Sequence, residues 1–347
     1  MQRFTVRALL VIMPVLITSQ LWANGALADS LPSLPIEAMG GSSSLRLSDD
    51  APSFDVDRSA TASFSDDPSC CCCCCVEQQK LLRFIAPSEP CFTEFISPMT
   101  NPVYFENPRT LTEVRLLYLH HRVPLTALGG DVNLFAAQVR AALNERLSII
   151  ATKDGFITST NPVIDDGWAD INLGLKYNLF ANPHTQRLLS VGVTYELPVG
   201  STRAVQGNGG GMFNLFASGG MAIGQWHALS TSGLLLPADR TAESSIYYYS
   251  YHLSRRLAQT SLHFLGELNG YHYMGAGNVP FPLPIEGGDL FNIGSVGVAG
   301  NDIVTGAFGL RLKPSDALEL GVAWEVPLTK RRDVLDNRLT VDCILRY

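Results

Sequence analysis

Asn337-Arg338-Leu339-Thr340-Val341-Asp342-Cys343-Ile344-Leu345-Arg346-Tyr347 closes the sequence with an almost unbroken alternation of apolar and polar residues. Successive side chains of an extended chain point to opposite faces. Leu339, Val341, Cys343, Leu345 and Tyr347 therefore share one face, and Arg338, Thr340, Asp342 and Arg346 the other. Only Ile344 breaks the pattern. An alternating last strand with an aromatic carboxyl terminus is what the barrel-assembly machinery reads in outer-membrane β-barrels, so Tyr347 is the expected contact with that machinery.

The same period of two recurs upstream. In Ala169-Asp170-Ile171-Asn172-Leu173-Gly174-Leu175-Lys176-Tyr177-Asn178-Leu179 every odd position is apolar and every even one is polar or Gly. A helix cannot segregate that pattern, whereas a strand between lipid and water does. Leu189 to Leu197 and Leu318 to Val326 repeat it. With the noisier segments 111 to 123, 131 to 143, 146 to 153, 212 to 223, 225 to 236, 244 to 254, 257 to 271 and 302 to 313, about 12 strands are predicted. Short connections (Asn144-Glu145, 181 to 185, Gly224, Arg255-Arg256, 314 to 316) alternate with longer ones (124 to 130, 154 to 166, 198 to 211, 237 to 243, 272 to 301, 328 to 336). That is the arrangement of short periplasmic turns and long external loops, with an even strand number returning both ends to one side. The expected fold is an all-β, closed antiparallel transmembrane β-barrel over residues 111 to 347, preceded by a largely irregular leader. Closure follows because lipid offers no partners to free backbone N–H and C=O groups.

Composition agrees with this reading. Hydrophobic residues make up 46% of the chain and charged residues 16%. Yet beyond the amino terminus no apolar run reaches the ~20 residues of a spanning helix, so the apolar residues must be spent in alternation. Met1 to Ala28 has Arg3 and Arg7, an apolar stretch, and Ala26-Leu27-Ala28 as a small-residue cleavage site. It reads as a secretory signal peptide, which places the barrel in the cell outer membrane with lipid as its main partner. Residues 29 to 110 hold 12 acidic and 5 basic side chains, against 20 and 18 for residues 111 to 347. Nothing is basic enough for a nucleic-acid partner. Residues 29 to 80 read as a low-complexity, solvated leader. Residues 81 to 110, with Phe84, Phe92, Phe95, Tyr104 and Phe105, read as a segment that docks, either a periplasmic cap or a plug.

Cys70 to Cys75 form an unbroken run. Adjacent cysteines close only strained disulfides, and ligand-pair spacing is absent, so no metal or other cofactor is assigned to them. A soft-metal thiolate cluster is the sharper alternative.

The inward phase of the predicted strands carries Glu113, Arg115, Arg140, Asp170, Lys176, Glu196, Arg311, Glu319, Glu325, Arg338, Asp342 and Arg346. In a simple antiparallel register Glu325 comes near Arg338, Glu319 near Arg346, and Glu113 and Arg115 share a phase with Arg346. A lining of both signs suits a lumen network and gives weak charge selectivity at most. A barrel of this strand number encloses a narrow lumen, so the expected function is a narrow channel or transporter for ions or small solutes. The alternatives are a plugged structural or adhesive barrel and a lipid hydrolase. His252-Leu253-Ser254 has the His-x-Ser spacing of an outer-membrane phospholipase, but its phase turns both side chains to the lumen, so no catalytic residue and no enzyme activity are expected. His120 and His121 alternate faces and cannot share a metal. Loop 272 to 301 either folds inward as a constriction or stays at the surface.

At Gly167 to Tyr177 and at Tyr195-Glu196-Leu197-Pro198-Val199-Gly200 the chain resembles the outer-membrane family of the MetA pathway of phenol degradation, over roughly residues 111 to 347. The resemblance implies a transporter-like barrel sometimes associated with uptake of aromatic compounds. It implies no catalytic or binding residues, and the hexacysteine leader departs from it.

Overall fold

A computed structural model describes residue 81 and residues 84–280 and 283–347 of the protein. The signal-peptide reading of residues 1–28 and the Cys70 to Cys75 run lie outside the described residues.

The strands are β1 (Glu113–Arg122), β2 (Asp131–Ala142), β3 (Leu147–Lys153), β4 (Phe156–Ser159), β5 (Gly167–Trp168), β6 (Ile171–Asn182), β7 (Arg187–Leu197), β8 (Met212–Ile223), β9 (Trp226–Pro237), β10 (Ser245–Arg256), β11 (Leu262–Gly275), β12 (Asp302–Ser315), β13 (Leu318–Pro327) and β14 (Asn337–Arg346). β3 and β4 are two halves of one interrupted strand that runs beside β2, and β5 and β6 are two halves of the next. The architecture is therefore a twelve-stranded antiparallel barrel. β1 pairs with β2 on one side and with β14 on the other, which closes the ring. Both termini of the barrel lie at the end with the short turns. There Tyr347 donates its N–H to the Thr112 carbonyl and accepts the Ser88 N–H.

Alternation positions two different surfaces. Along β14 Arg338, Thr340, Asp342 and Ile344 are buried while Val341 and Leu345 are exposed, so even the pattern-breaking Ile344 is accommodated inside. Outward aromatics include Trp168, Tyr177, Phe213, Phe264, Phe308, Trp324 and Tyr347. Tyr247, Tyr249 and Tyr251 stack along the outside of β10. Such rings suit the interface between hydrocarbon and water.

Two differences from the expected strand limits bear on the site and its turns. Segment 257 to 271 is placed later, as β11 from Leu262, because Arg255 and Arg256 stay in β10. The turn is made instead by residues 257–261, with Ala258 at φ 51° and the Leu257 N–H on the Leu262 carbonyl at 2.8 Å. Within the expected loop 154 to 166, Phe156–Ser159 resumes pairing with β2 after an interruption at Asp154 and Gly155. At Gly155 no side chain fits. Gly155 has φ 110°, and a Cβ there would lie 2.2 Å from the Phe135 carbonyl oxygen. Gly224, in the β8–β9 turn, also has positive φ (63°), but no atom lies within 4 Å of an added Cβ.

The pair makes a test. Gly155→Ala should lower the barrel's unfolding free energy by about 2 kcal/mol or more, and Gly224→Ala by about 1 kcal/mol. Urea unfolding of refolded, detergent-solubilised protein, followed by heat-modifiable gel mobility, measures both.

Candidate functional site

The barrel interior has two tiers, and β1 shows both. From the short-turn end its inward residues are Glu113, Arg115, Leu117, Leu119 and His121, all buried. The largest ion-pair network, the charged tier, sits toward the short turns, and the apolar tier, with smaller ion pairs beside it, toward the long loops.

In the charged tier, salt bridges link side chains of alternating sign into one continuous chain. Lys176 Nζ lies 2.7 Å from Glu106, and Glu106 lies 2.6 Å from Arg140. Arg140 approaches Glu113 at 3.4 Å, and Glu113 holds Arg346 at 2.8 Å. Arg346 then reaches Glu319 at 2.9 Å, and Glu319 reaches Arg311 at 3.3 Å. Arg311 contacts Asp342 at 2.9 Å, and Asp342 contacts Arg115 at 2.7 Å. Eight of these nine residues are inward strand residues. The ninth, Glu106, comes from the segment preceding the barrel.

That segment is bound inside the ring by hydrogen bonds to inward side chains. Met99 and Thr100 donate backbone N–H groups to Glu267 at 2.8 and 2.6 Å, and Ser97 donates its N–H to Glu319 at 3.2 Å. Lys176 also donates to the carbonyls of Asn107 and Arg109. Arg109 pairs in turn with Glu89. Phe92, Phe95 and Phe105 pack with Leu188 and Leu229 of the wall. A charge taken this far from water is costly unless paired, and here each charged side chain has a partner of opposite sign.

The other candidates fall into smaller groups. Arg338 is bidentate to Asp289 of the β11–β12 loop (2.7 and 2.9 Å) and lies 3.7 Å from Glu325. Glu196 pairs with Lys153 at 2.6 Å. Asp170 accepts the N–H groups of Gly200 (2.8 Å) and Gly207 (2.9 Å), so it pins the β7–β8 loop rather than joining an ion pair. His252 is held by Glu267 at 2.6 Å, while Ser254 turns its hydroxyl to the His227 carbonyl. The two side chains of the His-x-Ser pair thus do not form a nucleophile–base contact. His121 binds the Val334 carbonyl inside, and His120 contacts Asn133.

The apolar tier is completed by the loop. Leu290, Phe291 and Ile293 pack against Leu117, Leu119, Val132, Leu134 and Ile157, with Ala136 and Ala169 in the same cluster. Of the two alternatives for this loop, the inward fold is the one observed. Glu286 anchors it by accepting the Ser244 hydroxyl (2.6 Å) and the N–H groups of Ile293 (2.8 Å) and Ser295 (3.1 Å).

The wall is interrupted beside this tier. Between Gln138 and Phe135 strand β2 loses its regular backbone partner, and the Asp154 carboxylate takes over by accepting the Ala137 N–H at 2.9 Å. Outside the interruption lies a concavity of about 1120 Å³ lined by Leu116, Tyr118, Phe135, Trp168, Ile171, Val199 and Leu320. Its lining also includes Leu117, Ala136 and Ala169, which belong to the interior apolar tier. Sequence reading missed Glu106, Glu267, Asp289 and Asp154. Glu106 and Asp289 come from segments outside the strands, meet their partners only once the ring has closed, and carry no local signal, whereas Glu267 stands on the inward phase of β11 directly opposite His252 of β10. Asp154 had a local signal, a carboxylate followed by Gly between two alternating runs, but it was absorbed into a predicted loop.

No family model matches the chain, and no curated protein matches it. Among solved structures, the COG4313 outer membrane channel from Pseudomonas putida F1 superposes with a TM-score of 0.52 at 12% identity, over 73% of this chain and 100% of that one. The shared fold is that of an outer-membrane β-barrel. The KdgM porin superposes less well, with a TM-score of 0.41 at 9% identity over 67% of this chain and 99% of that one.

Two outcomes are expected. Arg140→Met removes the cation that Glu106 and Glu113 share and leaves each with one partner, Lys176 and Arg346, so it should cost about 2–3 kcal/mol in urea unfolding. Glu286, in the loop, has its carboxyl pushed up to about 7 by burial, with Asp333 adding to the rise and the Ser244, Ile293 and Ser295 donors opposing it. A carboxyl whose pKa rises on folding favours the folded loop at low pH. Its contribution, on the order of 3 kcal/mol, is full below about 4.5 and lost as pH rises through about 7. Limited proteolysis of residues 276–301 should therefore accelerate between pH 5 and pH 8 in the native chain and lose that dependence in Glu286→Gln.

Proposed function

We propose that this protein resides in the outer membrane and transports small apolar solutes, aromatic ones included, and that they enter through the interrupted wall rather than along an open axial pore. The observation that carries this reading is the concavity at Asp154 and Gly155, whose lining is shared with the buried apolar tier through Leu117, Ala136 and Ala169. The axis itself is crossed by residues 97–109 and their ion pairs at one tier, and by the β11–β12 loop at the other. The segment before β1 acts in this reading as a plug. The resemblance to the MetA-pathway family points the same way, toward aromatic solutes. Lipid is the partner of the outward face, and the assembly machinery reads the strand that ends in Tyr347. A plugged barrel with a structural or adhesive role is the second reading, favoured by the filled lumen.

The experiment compares the native chain with Ala137→Trp, which places a ring in the concavity from an outward position of β2. Cells carrying the native chain should accumulate labelled toluene faster than cells without it, Ala137→Trp should lose most of that gain, and planar bilayers should show low conductance for both. High conductance with free glucose permeation would overturn the wall route. Toluene uptake equal to that of cells without the protein would favour the structural reading.

A further inference from the structure

Asp154 stands out because of its depth. Its acceptor contact is with Ala137, which lies opposite Leu116 of β1. Leu116 in turn lies opposite Cys343 of β14, and Cys343 opposite Leu320 of β13. Leu116 and Leu320 are exposed on the outside of the barrel. The carboxylate therefore sits level with the apolar belt, where an ionisable group is costly and is retained chiefly when it has a task.

One carboxylate oxygen has a structural duty. Oδ1 satisfies the Ala137 N–H that the interruption of the strand leaves without a backbone partner. An amide or hydroxyl acceptor of neutral charge would serve that duty equally well. Oδ2 has no partner among the described residues, and Asp154 forms no ion pair among them. The side chain is half-buried and lines the concavity together with Phe135, Trp168 and Ile171. An acceptor oxygen is thus presented into an apolar site of about 1120 Å³ that has aromatic walls. Phe156 packs edge-on against Trp168 at 5.2 Å and fixes that ring.

We propose that Asp154 is the recognition point of this site, selecting solutes that carry a hydrogen-bond donor, a hydroxyl or an amine, on an apolar body. The inference rests on the wall-entry reading and narrows its substrate class. A lipid acyl chain fills such a groove but brings no donor to Oδ2, whereas a donor-bearing solute satisfies the carboxylate and buries its apolar body against the rings in one step. The gain is a charge-assisted hydrogen bond in a site of low dielectric.

The test uses purified full-length protein in detergent, with quenching of tryptophan fluorescence by a matched pair of probes, 2-naphthol and naphthalene, which share a body and differ in the donor. The native chain should bind 2-naphthol about tenfold or more tighter than naphthalene. Asp154→Leu should keep naphthalene binding and lose the preference. Asp154→Asn retains an acceptor for the Ala137 N–H and should fold like the native chain by heat-modifiable mobility, yet its preference for 2-naphthol should fall several-fold. An unchanged affinity ratio in both variants would overturn the proposal while leaving the wall route intact. Binding of neither probe to the native chain, or binding of both that survives Ala137→Trp, would overturn the wall route together with it.

Discussion

Backbone closure is the constraint from which the rest follows. Strand β1 finds partners in both β2 and β14, so every strand of the ring has two neighbours. In hydrocarbon, a free N–H or C=O costs several kcal/mol, so the ring leaves no edge. With pairing fixed, the period of two becomes obligatory, because a slip of one residue would turn Glu113, Arg115, Arg346 and their neighbours into the lipid. The strictness of closure also gives meaning to the one place where it lapses. At Ala137 the ladder is completed by a side chain, Asp154, instead of a backbone carbonyl.

The charged tier follows from the same constraint. A ring of twelve strands encloses too little space for bulk water to solvate every inward charge, so the charges must solvate one another. Lys176, Arg140, Arg346, Arg311 and Arg115 alternate with Glu106, Glu113, Glu319 and Asp342. Without Glu106 the wall alone would present five cations against three anions along this chain. The segment before β1 therefore improves the balance of the interior as well as filling it. Removing either member of one of these pairs leaves a buried charge exposed to its own desolvation cost.

Legibility followed the range of each interaction. Strand number, turn order and the two faces of β6, β7, β13 and β14 were readable, because a period of two over ten residues is a local property. Adjacent-strand pairs such as Glu325 with Arg338 could be anticipated once neighbours were known. Contacts across the lumen could not. Nothing near Glu106 in the sequence announces Arg140 and Lys176, and nothing near Asp289 announces Arg338, since these partners meet only after the ring closes. The β10–β11 boundary misled for a local reason: Arg255 and Arg256 look like a turn, but the chain reverses at Ala258, a non-glycine residue with positive φ.

The distribution of polarity also bears on the route. Were solutes to pass along the axis, they would have to displace Glu106 from Arg140 and Lys176 and Asp289 from Arg338, breaking buried ion pairs at both ends of the lumen. The wall demands less. Where β3 gives way to β4, the ladder is already interrupted, Gly155 leaves no side chain in the gap, and Ala136 and Ala169 present only methyl groups. Behind them lie Leu117, Leu290 and Phe291, packed by dispersion and apolar burial, with the Asp289–Arg338 ion pair holding the loop that carries Leu290 and Phe291. An apolar solute entering there exchanges one apolar contact for another. In the proposed route the pairs of Glu106 with Arg140 and Lys176 stay intact, because a solute in the wall concavity meets none of these side chains.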